Sequence, residues 1–448
     1  MKYARIIQKY KYNLNTWDKT GNLGDCIQNL AVENLYREME IENLVKINRD
    51  KINEYNGEKV LLPMQGWFGN VHDIFPINWS KDIIPVFVGF HLNDYKNCRE
   101  RFIKEKIYER MQEFEPIGCR DRNTAKFLKT LGLKTYFSGC MTLTFPTRKI
   151  EPKEGKIFIV DVKDEVLKII PDEIKNVADN SITHMYKFKN YPISEQEALE
   201  FENNARKLLE KYRTEAKLVI TSRIHCAMPC LAMGIPVIFI HNNTNDSRFD
   251  VLRGLIPIYS VENKALINWS PKPVKFEYLK NAIRRNALYY IWYNAYNYCN
   301  CSKKPKNYMF QLQFWTKFYN LKGLFTNGLL KLHSKFITRQ QNKKILKLIK
   351  NKRIVFWGAS LFLKDFLNRH KIKNSNIIGI IDKDEKLHNT KIGPYTIFPP
   401  EKLSEINPDI VICSIKNNHG VIYPKIKEFL KINYPKIELM PDIFQIQI

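Results

Sequence analysis

Lys217–Ile240, KLVITSRIHCAMPCLAMGIPVIFI, is the stretch whose reading decides the fold. KLVIT is a short run of mostly apolar residues that stops at a polar turn, Ser222-Arg223-Ile224-His225. The apolar Cys226–Met233 then reads as a short helix ended by Gly234, and Val237–Ile240 resumes a buried strand. Strand, helix and strand at this spacing make one unit of a parallel sheet with helices against its faces. In such sheets ligands sit beyond the carboxyl ends of the strands. The turn also presents the N–H groups of a helix start, which favour an anion. Arg223 and His225 therefore read as a guanidinium and a titratable imidazole beside a phosphate or carboxylate, with Ser222 as a further contact. A second reading stays open at this level: Arg223 pairs with a structural carboxylate and His225 is a satisfied cap.

The same pattern recurs toward the N-terminus. Glu115-Pro116-Ile117-Gly118-Cys119-Arg120-Asp121 ends in Arg-Asp ahead of a helix expected at Asn123–Leu131, which Asp121 would cap. Asn22-Leu23-Gly24-Asp25 precedes a helix expected at Ile27–Tyr36. There Gly24 allows close ligand approach, and Asp25 is either an N-cap or a base facing the cleft. Val60–Pro63, Ile84–Phe90 and Lys156–Val162 read as strands, and Ser194–Tyr212 as a helix. The alternation gives an α/β chain with two halves, residues 1–150 and 151–275, and a cleft between them. Three polar turns distributed over two halves outline one site.

Taken in order, Asn22-Leu23-Gly24-Asp25, Gly118-Cys119-Arg120-Asp121, Ser138-Gly139-Cys140-Met141-Thr142, and Thr221-Ser222-Arg223-Ile224-His225 with Gly234-Ile235-Pro236 resemble the blocks of polysaccharide pyruvyl transferases. Gly66-Trp67-Phe68 and Val88-Gly89-Phe90-His91 are similar to a subset of that family. The resemblance covers roughly residues 5–260. It implies two Rossmann-like halves of the glycosyltransferase-B kind. It also implies transfer of a pyruvyl group from phosphoenolpyruvate to a sugar diol, giving a ketal and phosphate. Arg120 and Arg223 would bind the donor's phosphate and carboxylate, with His225 near the reacting carbon and Asn22, Gly24 and Ser222 as substrate contacts.

The residue types suit that chemistry. Two arginines can hold both ends of a three-carbon phosphate-carboxylate bidentately. Protonating the methylene carbon makes its neighbour electrophilic, and a histidine can supply that proton. His225 is assigned the acid role. Asp25 is assigned the base role, with Asp121 and His91 as further candidates. No Asp-x-Asp lies near the cleft turns, so neither metal nor cofactor is expected, and phosphoenolpyruvate enters as donor substrate. Two rivals remain at this level: a nucleotide-sugar glycosyltransferase on the same scaffold, and a non-catalytic glycan- or lipid-binding protein.

The net charge of +26 is concentrated in one place. Residues 271–353 hold 19 Lys or Arg against a single acid, Glu277, so most of the excess belongs to one segment. Within 276–345 the basic residues alternate with aromatics, and Phe276–Ala295 reads as a helix across the two halves with a solvated basic face. Phe325, Leu329, Leu332 and Phe336 recur at helical spacing beside Lys331, Lys335 and Arg339. A basic amphipathic helix of this kind favours an anionic membrane surface, where a lipid-linked glycan acceptor would reside. Nucleic acid ranks below, for want of a binding signature. No apolar run is long enough to span a bilayer and no signal-peptide core opens the chain, so the expectation is a cytoplasmic protein, peripheral on the inner membrane face. Nine cysteines without a CxxC pair fit reduced thiols. A homo-oligomer is compatible with all of this.

Residues 346–448 open a third, small Rossmann-like unit. Arg353–Trp357 is an expected strand, Leu361–Arg369 a helix, Ile377–Ile381 and Asp409–Ser414 further strands. Gly358-Ala359-Ser360 and Asp382 stand where a nucleotide's phosphates and ribose would lie, but Ser360 and Leu363 replace the later glycines of the usual fingerprint. An interaction module, or one that has lost its nucleotide, is the expectation here.

Overall fold

The computed structural model describes residues 2–8, 20–69, 78–189, 192–299, 351–360, 376–414 and 419–440, together with 363, 364 and 367. The stripe at Phe325–Arg339 and most of the helix expected at Leu361–Arg369 lie outside the described residues. The chain divides into two compact units. One comprises Met1–Ile240, Asp246–Ile256 and Trp269–His333; the other comprises His241–Asn245, Pro257–Asn268 and Ser334–Ile448.

The first unit contains two Rossmann-like halves. The N-terminal half is built from β1 (Lys2–Ile7), a short β2 (Thr20–Asn22), α1 (Leu23–Glu38), β3 (Val45–Asn48), β4 (Val60–Phe68), β5 (Ile83–Leu92), β6 (Ile117–Cys119), α2 (Arg122–Thr130) and β7 (Thr135–Phe137). Its sheet runs β3-β1-β4-β5-β6-β7 with every pairing parallel. Leu62, Met64 and Phe68 of β4 and Phe90 and Leu92 of β5 pack into the core on one face. α1 covers the opposite face, and its Tyr36 hydroxyl donates toward the carbonyls of Ala4 (3.1 Å) and Leu61 (3.3 Å).

β4 runs on past the expected Pro63 to Phe68. The β4–β5 register shifts between Met64 and Gly66, and the β5–β6 register shifts between Val88 and Phe90. Both shifts come from one extra residue in β5, where Gly89 (φ 88°) takes the left-handed backbone of the bulge, and Gly66 (φ 93°) of β4 does so beside it. After the bulge Trp67 is paired with His91 and Phe68 with Leu92. Phe90 and Leu92 stay in the core while His91 turns to the α1 face.

The second half holds β8 (Lys156–Val160), β9 (Ala178–Asp179), β10 (Met185–Lys187), α3 (Glu195–Glu215), β11 (Ala216–Thr221), α4 (Ile224–Ala232) and β12 (Val237–Ile240). β12-β11-β8-β9 is again parallel, so the ends of β8, β11 and β12 (Val160, Thr221, Phe239) lie level. Two features tie the halves together. β2 pairs antiparallel with β10, and Leu23 N–H donates to the His184 carbonyl at 2.8 Å. Arg5 of β1 makes a bidentate pair with Glu202 of α3 (2.8 Å to each oxygen), joined by Glu33 and Arg206, with Arg5 and Glu202 buried.

α5 (Glu277–Cys299) belongs to this unit. Leu279, Ile283, Ala287, Leu288 and Ile291 bury one face. The expected solvated basic face is kept only in part: Arg285 is exposed and Arg284 partly so. Lys280 is buried, its ammonium donating to the Ala232 carbonyl at the end of α4 (2.9 Å) and to Thr147 (2.6 Å). The outward residues also include the exposed Tyr278, Tyr293 and Tyr296. No described helix is long and apolar enough to cross a membrane.

In the second unit, β13 (Ile354–Trp357), β14 (Ile377–Ile381), β15 (Lys391–Ile392), β16 (Tyr395–Phe398), β17 (Ile410–Cys413), α6 (His419–Asn433) and β18 (Glu438–Met440) form a sheet in the order β15-β16-β14-β13-β17-β18. Only β15–β16 is antiparallel, so this is a mixed sheet. Trp357, Val411 and Leu430 are among its core residues.

Candidate active site

The polar turns of both halves lie at the carboxyl ends of parallel strands. Arg120 and Asp121 follow β6, His91 ends β5, and Ser222 and Arg223 follow β11. The start of α1 is the remaining piece. Asn22, rather than Asp25, caps α1, its carboxamide oxygen accepting from Gly24 N–H at 2.9 Å. Asp25 sits in the first turn, half-buried. Gly24 lies against the second half: a Cβ there would fall 2.9 Å from the His225 Cβ and 3.2 Å from its Nδ1. The glycine thus lets the two helix starts meet.

His91 and Asp121 form a buried pair, Nδ1 to Oδ2 at 2.5 Å. Asp121 also caps α2 as expected, accepting from Thr124 N–H at 2.7 Å and from the Thr124 hydroxyl at 2.9 Å. Burial, then the Arg120 charge, push the His91 imidazole below the usual histidine range despite the Asp121 bond. Burial works to raise the Asp121 carboxyl, but the His91 hydrogen bond and charge, the Thr124 N–H and Arg120 outweigh it and hold it low. With Nδ1–H donated to a carboxylate, a neutral His91 keeps its lone pair on Nε2, the arrangement of a general base. That Nε2 is buried without a partner among the described residues.

Arg120 is buried and donates from one terminal nitrogen to Gln28 Oε1 at 3.1 Å, while its Nε has no partner among the described residues. Gln28 in turn reaches the Gly24 carbonyl and Asp25, both at 3.4 Å, connecting Arg120 to the first turn of α1. Burial, followed by the charges of Arg120, His184, Arg248 and His91, pushes His225 well below the ordinary histidine value. Its Nε2 too is buried and unpartnered among the described residues. Unpaired buried polar atoms cost stability, and three of them lie in these turns.

Arg223 is the N-cap of α4 and makes no side-chain cap bond, which leaves the first turn disposed toward an anion. Its Nε donates to Asp161 at 3.2 Å. Pairing with a carboxylate and availability to a ligand coexist here, since the side chain remains 37% exposed. Ser222 is directed elsewhere, its hydroxyl donating to the Ile240 carbonyl at 2.7 Å.

Sequence reasoning missed Gln28, Asp161 and Arg248. Arg248 lies in the loop past β12, held by Asp246 (Nη2 to Oδ2 at 2.6 Å), and its charge acts on Arg120, His91 and His225. The strand-end rule that singled out Arg223 applies equally to the loop after β12 and would have found it.

In the second unit, Asp382 accepts from Ala359 N–H at 2.6 Å and from Asp384 N–H at 2.9 Å. Ser360 donates to the Ser414 carbonyl at 2.9 Å, and Ser414 donates to the Gly358 carbonyl at 2.6 Å. Gly358, Ser360 and Asp382 are thus brought together at the ends of β13 and β14.

Residues 22–244 match the sequence model of a family described as polysaccharide pyruvyl transferase. No curated protein matches the chain. Among solved structures, that of a functionally uncharacterised protein from Klebsiella pneumoniae subsp. pneumoniae NTUH-K2044 is similar at 16% identity and TM-score 0.33, covering 55% of this chain and 87% of that one. The family match opens at the Asn22 cap and closes just past β12, taking in the turns of both halves; over that span the chain belongs to the polysaccharide pyruvyl transferase family, a family of transferases.

Proposed function

We propose that this unit transfers the pyruvyl group of phosphoenolpyruvate to a diol on a cell-surface glycan precursor, forming a ketal and releasing phosphate. The observation that carries the reading is the trio of unpartnered buried nitrogens, His91 Nε2, Arg120 Nε and His225 Nε2, at the strand ends. In this reading the two halves take the glycosyltransferase-B arrangement. Arg120 and Arg223 hold the donor's two anionic ends, and Arg248 adds a third positive charge. His225 is neutral before the donor arrives, because burial and surrounding cations disfavour its charged form. The donor's negative charge reverses that field, so His225 takes up the proton that it delivers to the methylene carbon. His91 Nε2 removes a proton from the acceptor hydroxyl as its oxygen bonds to the neighbouring carbon, with Asp121 stabilising the imidazolium. The carbon–oxygen bond to phosphate breaks, and the second hydroxyl closes the ketal. Of the diol's two protons, one replaces the proton placed on the methylene carbon and the other leaves with phosphate. Asp25, the base expected from sequence, instead balances the Arg120 charge. The chemistry as written uses neither metal nor cofactor.

Thermal-shift measurements with phosphoenolpyruvate and a panel of nucleotide sugars test the reading. Stabilisation by phosphoenolpyruvate, with phosphate release that His225→Ala abolishes, is expected. Stabilisation by a nucleotide sugar alone would replace it with glycosyl transfer, and response to neither would favour a glycan- or lipid-binding protein.

The acceptor is placed at an anionic membrane surface on the cytoplasmic side. Tyr278, Tyr293 and Tyr296 of α5 are each more than 40% exposed, Arg285 is exposed beside them, and Trp292 stacks on Tyr296. Exposed aromatics on one helix face suit a membrane interface, and the basic segment 300–345 follows directly. Flotation with anionic vesicles at low salt is expected to carry the protein upward; a protein left at the bottom would refute this placement.

A further inference from the structure

Asp161, the residue after β8, has φ 47°. That is the left-handed region, which a residue with a side chain occupies at a cost unless local bonds hold it there. Its carboxylate supplies such bonds from three directions. Oδ1 accepts from the Thr183 hydroxyl at 2.7 Å; Oδ2 accepts from His184 N–H at 2.9 Å and from Arg223 Nε at 3.2 Å. The side chain is only 11% exposed, whereas that of Arg223 is 37% exposed.

We propose that Asp161 is a positioning residue for the donor-binding site, setting the Arg223 guanidinium and the start of α1 through one carboxylate. The assignment rests on the proposed pyruvyl transfer. A guanidinium is planar with five N–H groups, so fixing Nε at Asp161 fixes the plane of the two terminal nitrogens as well. An arginine held in this way loses less side-chain freedom when a phosphate or carboxylate docks than one that must be ordered by the ligand. The same carboxylate pins Thr183 and His184. The His184 carbonyl accepts from Leu23 N–H at 2.8 Å, and Gly24 beside it touches His225. Asp161 therefore registers Arg223 and His225 against each other through two short chains of contacts. Its strained backbone fits this role, since a left-handed turn at the strand end brings the carboxylate under Arg223 while leaving β8 paired with β11 up to Val160.

Three variants of the full chain test this: Asp161→Gly, Asp161→Asn and Arg223→Ala. Glycine relaxes the backbone and removes the carboxylate, while asparagine keeps the shape and tolerates the same φ. Affinity for phosphoenolpyruvate is read by calorimetry and by its shift of the melting midpoint, and the KM for donor and acceptor separately. Asp161→Gly is expected to weaken donor affinity and raise donor KM at least tenfold, with acceptor KM unchanged, and Asp161→Asn to recover part of the loss. In an Arg223→Ala background, Asp161→Gly is expected to cost less than in the wild type, because the part of its effect that passes through Arg223 is already gone. Equal losses in both backgrounds, unchanged donor affinity, or parallel losses of donor and acceptor KM would overturn the assignment. A wild-type protein that does not bind phosphoenolpyruvate at all would overturn the pyruvyl-transfer reading first, and this assignment with it.

Discussion

Gly24→Ala separates the helix start of α1 as a local element from its role in the site. At a helical position Ala is worth up to about 1 kcal/mol over Gly, so a free-standing α1 would be stabilised. In the folded protein the new Cβ would lie 2.9 Å from the His225 Cβ and 3.0 Å from Asn22 Oδ1. Carbon atoms prefer roughly 3.5–4.0 Å, so the turns must part by more than half an ångström. Neither gives easily: Leu23 is bonded to His184 at 2.8 Å, and Arg223 N–H to Thr221 at 3.0 Å. Overpacking of this kind costs roughly 1–3 kcal/mol, which outweighs the propensity gain over most of that range and leaves a net loss of up to about 2 kcal/mol. For a unit of this size that is a melting midpoint lower by up to roughly 6 °C. In a His225→Gly background only the Asn22 Oδ1 contact at 3.0 Å remains, and Gly24→Ala should lower the midpoint less. Thermal unfolding of the four proteins reads the sign directly. A rise in the wild-type background would show that the two helix starts do not abut and would remove the geometric basis of the site.

Asp121→Asn should lower the rate of phosphate release by roughly 10²–10⁴-fold while leaving phosphoenolpyruvate binding near normal, as expected for loss of an oriented base; a change under twofold would take His91 out of the mechanism. Binding of phosphoenolpyruvate at neutral pH should take up a proton, because His225 starts neutral; calorimetry in buffers of different ionisation enthalpy measures it, and a binding heat independent of buffer would contradict the acid role. His91 and His225 both lie below the usual histidine value in the fold, so their contribution to stability is complete above about pH 6.5 and is lost as pH falls below it. The melting midpoint should therefore drop between pH 7 and 5, and His225→Asn should lessen the drop; an identical drop in the variant would exclude His225 as a contributor. Arg5→Met leaves Glu202 buried beside Glu33 with only Arg206 to balance them, and should cost about 3–5 kcal/mol in unfolding experiments; a loss below about 1 kcal/mol would mean that the network does not brace the halves.

The amino-acid sequence by itself determined the α/β class, the strands β4, β5, β8, β11 and β12, the helices α1 to α4, and the turns that carry Arg120, Asp121, Arg223 and His225. Those features are local: hydrophobic periodicity, a polar turn and a stop signal all lie within a dozen residues of one another. Tertiary structure alone decided how the turns work together. Asn22 rather than Asp25 caps α1, because the choice depends on which side chain reaches a backbone N–H. His91 points away from the core that holds Phe90 and Leu92 because an extra residue in β5 shifts the strand register. Gln28 enters the site from within α1, where the local pattern announces nothing. The protonation of His225 is the clearest case. It follows from burial and from the charges of Arg120, His184, Arg248 and His91, which the chain brings to one place only by folding. A pKa is set by solvent and charge within a few ångströms, and distance along the chain carries no information about either.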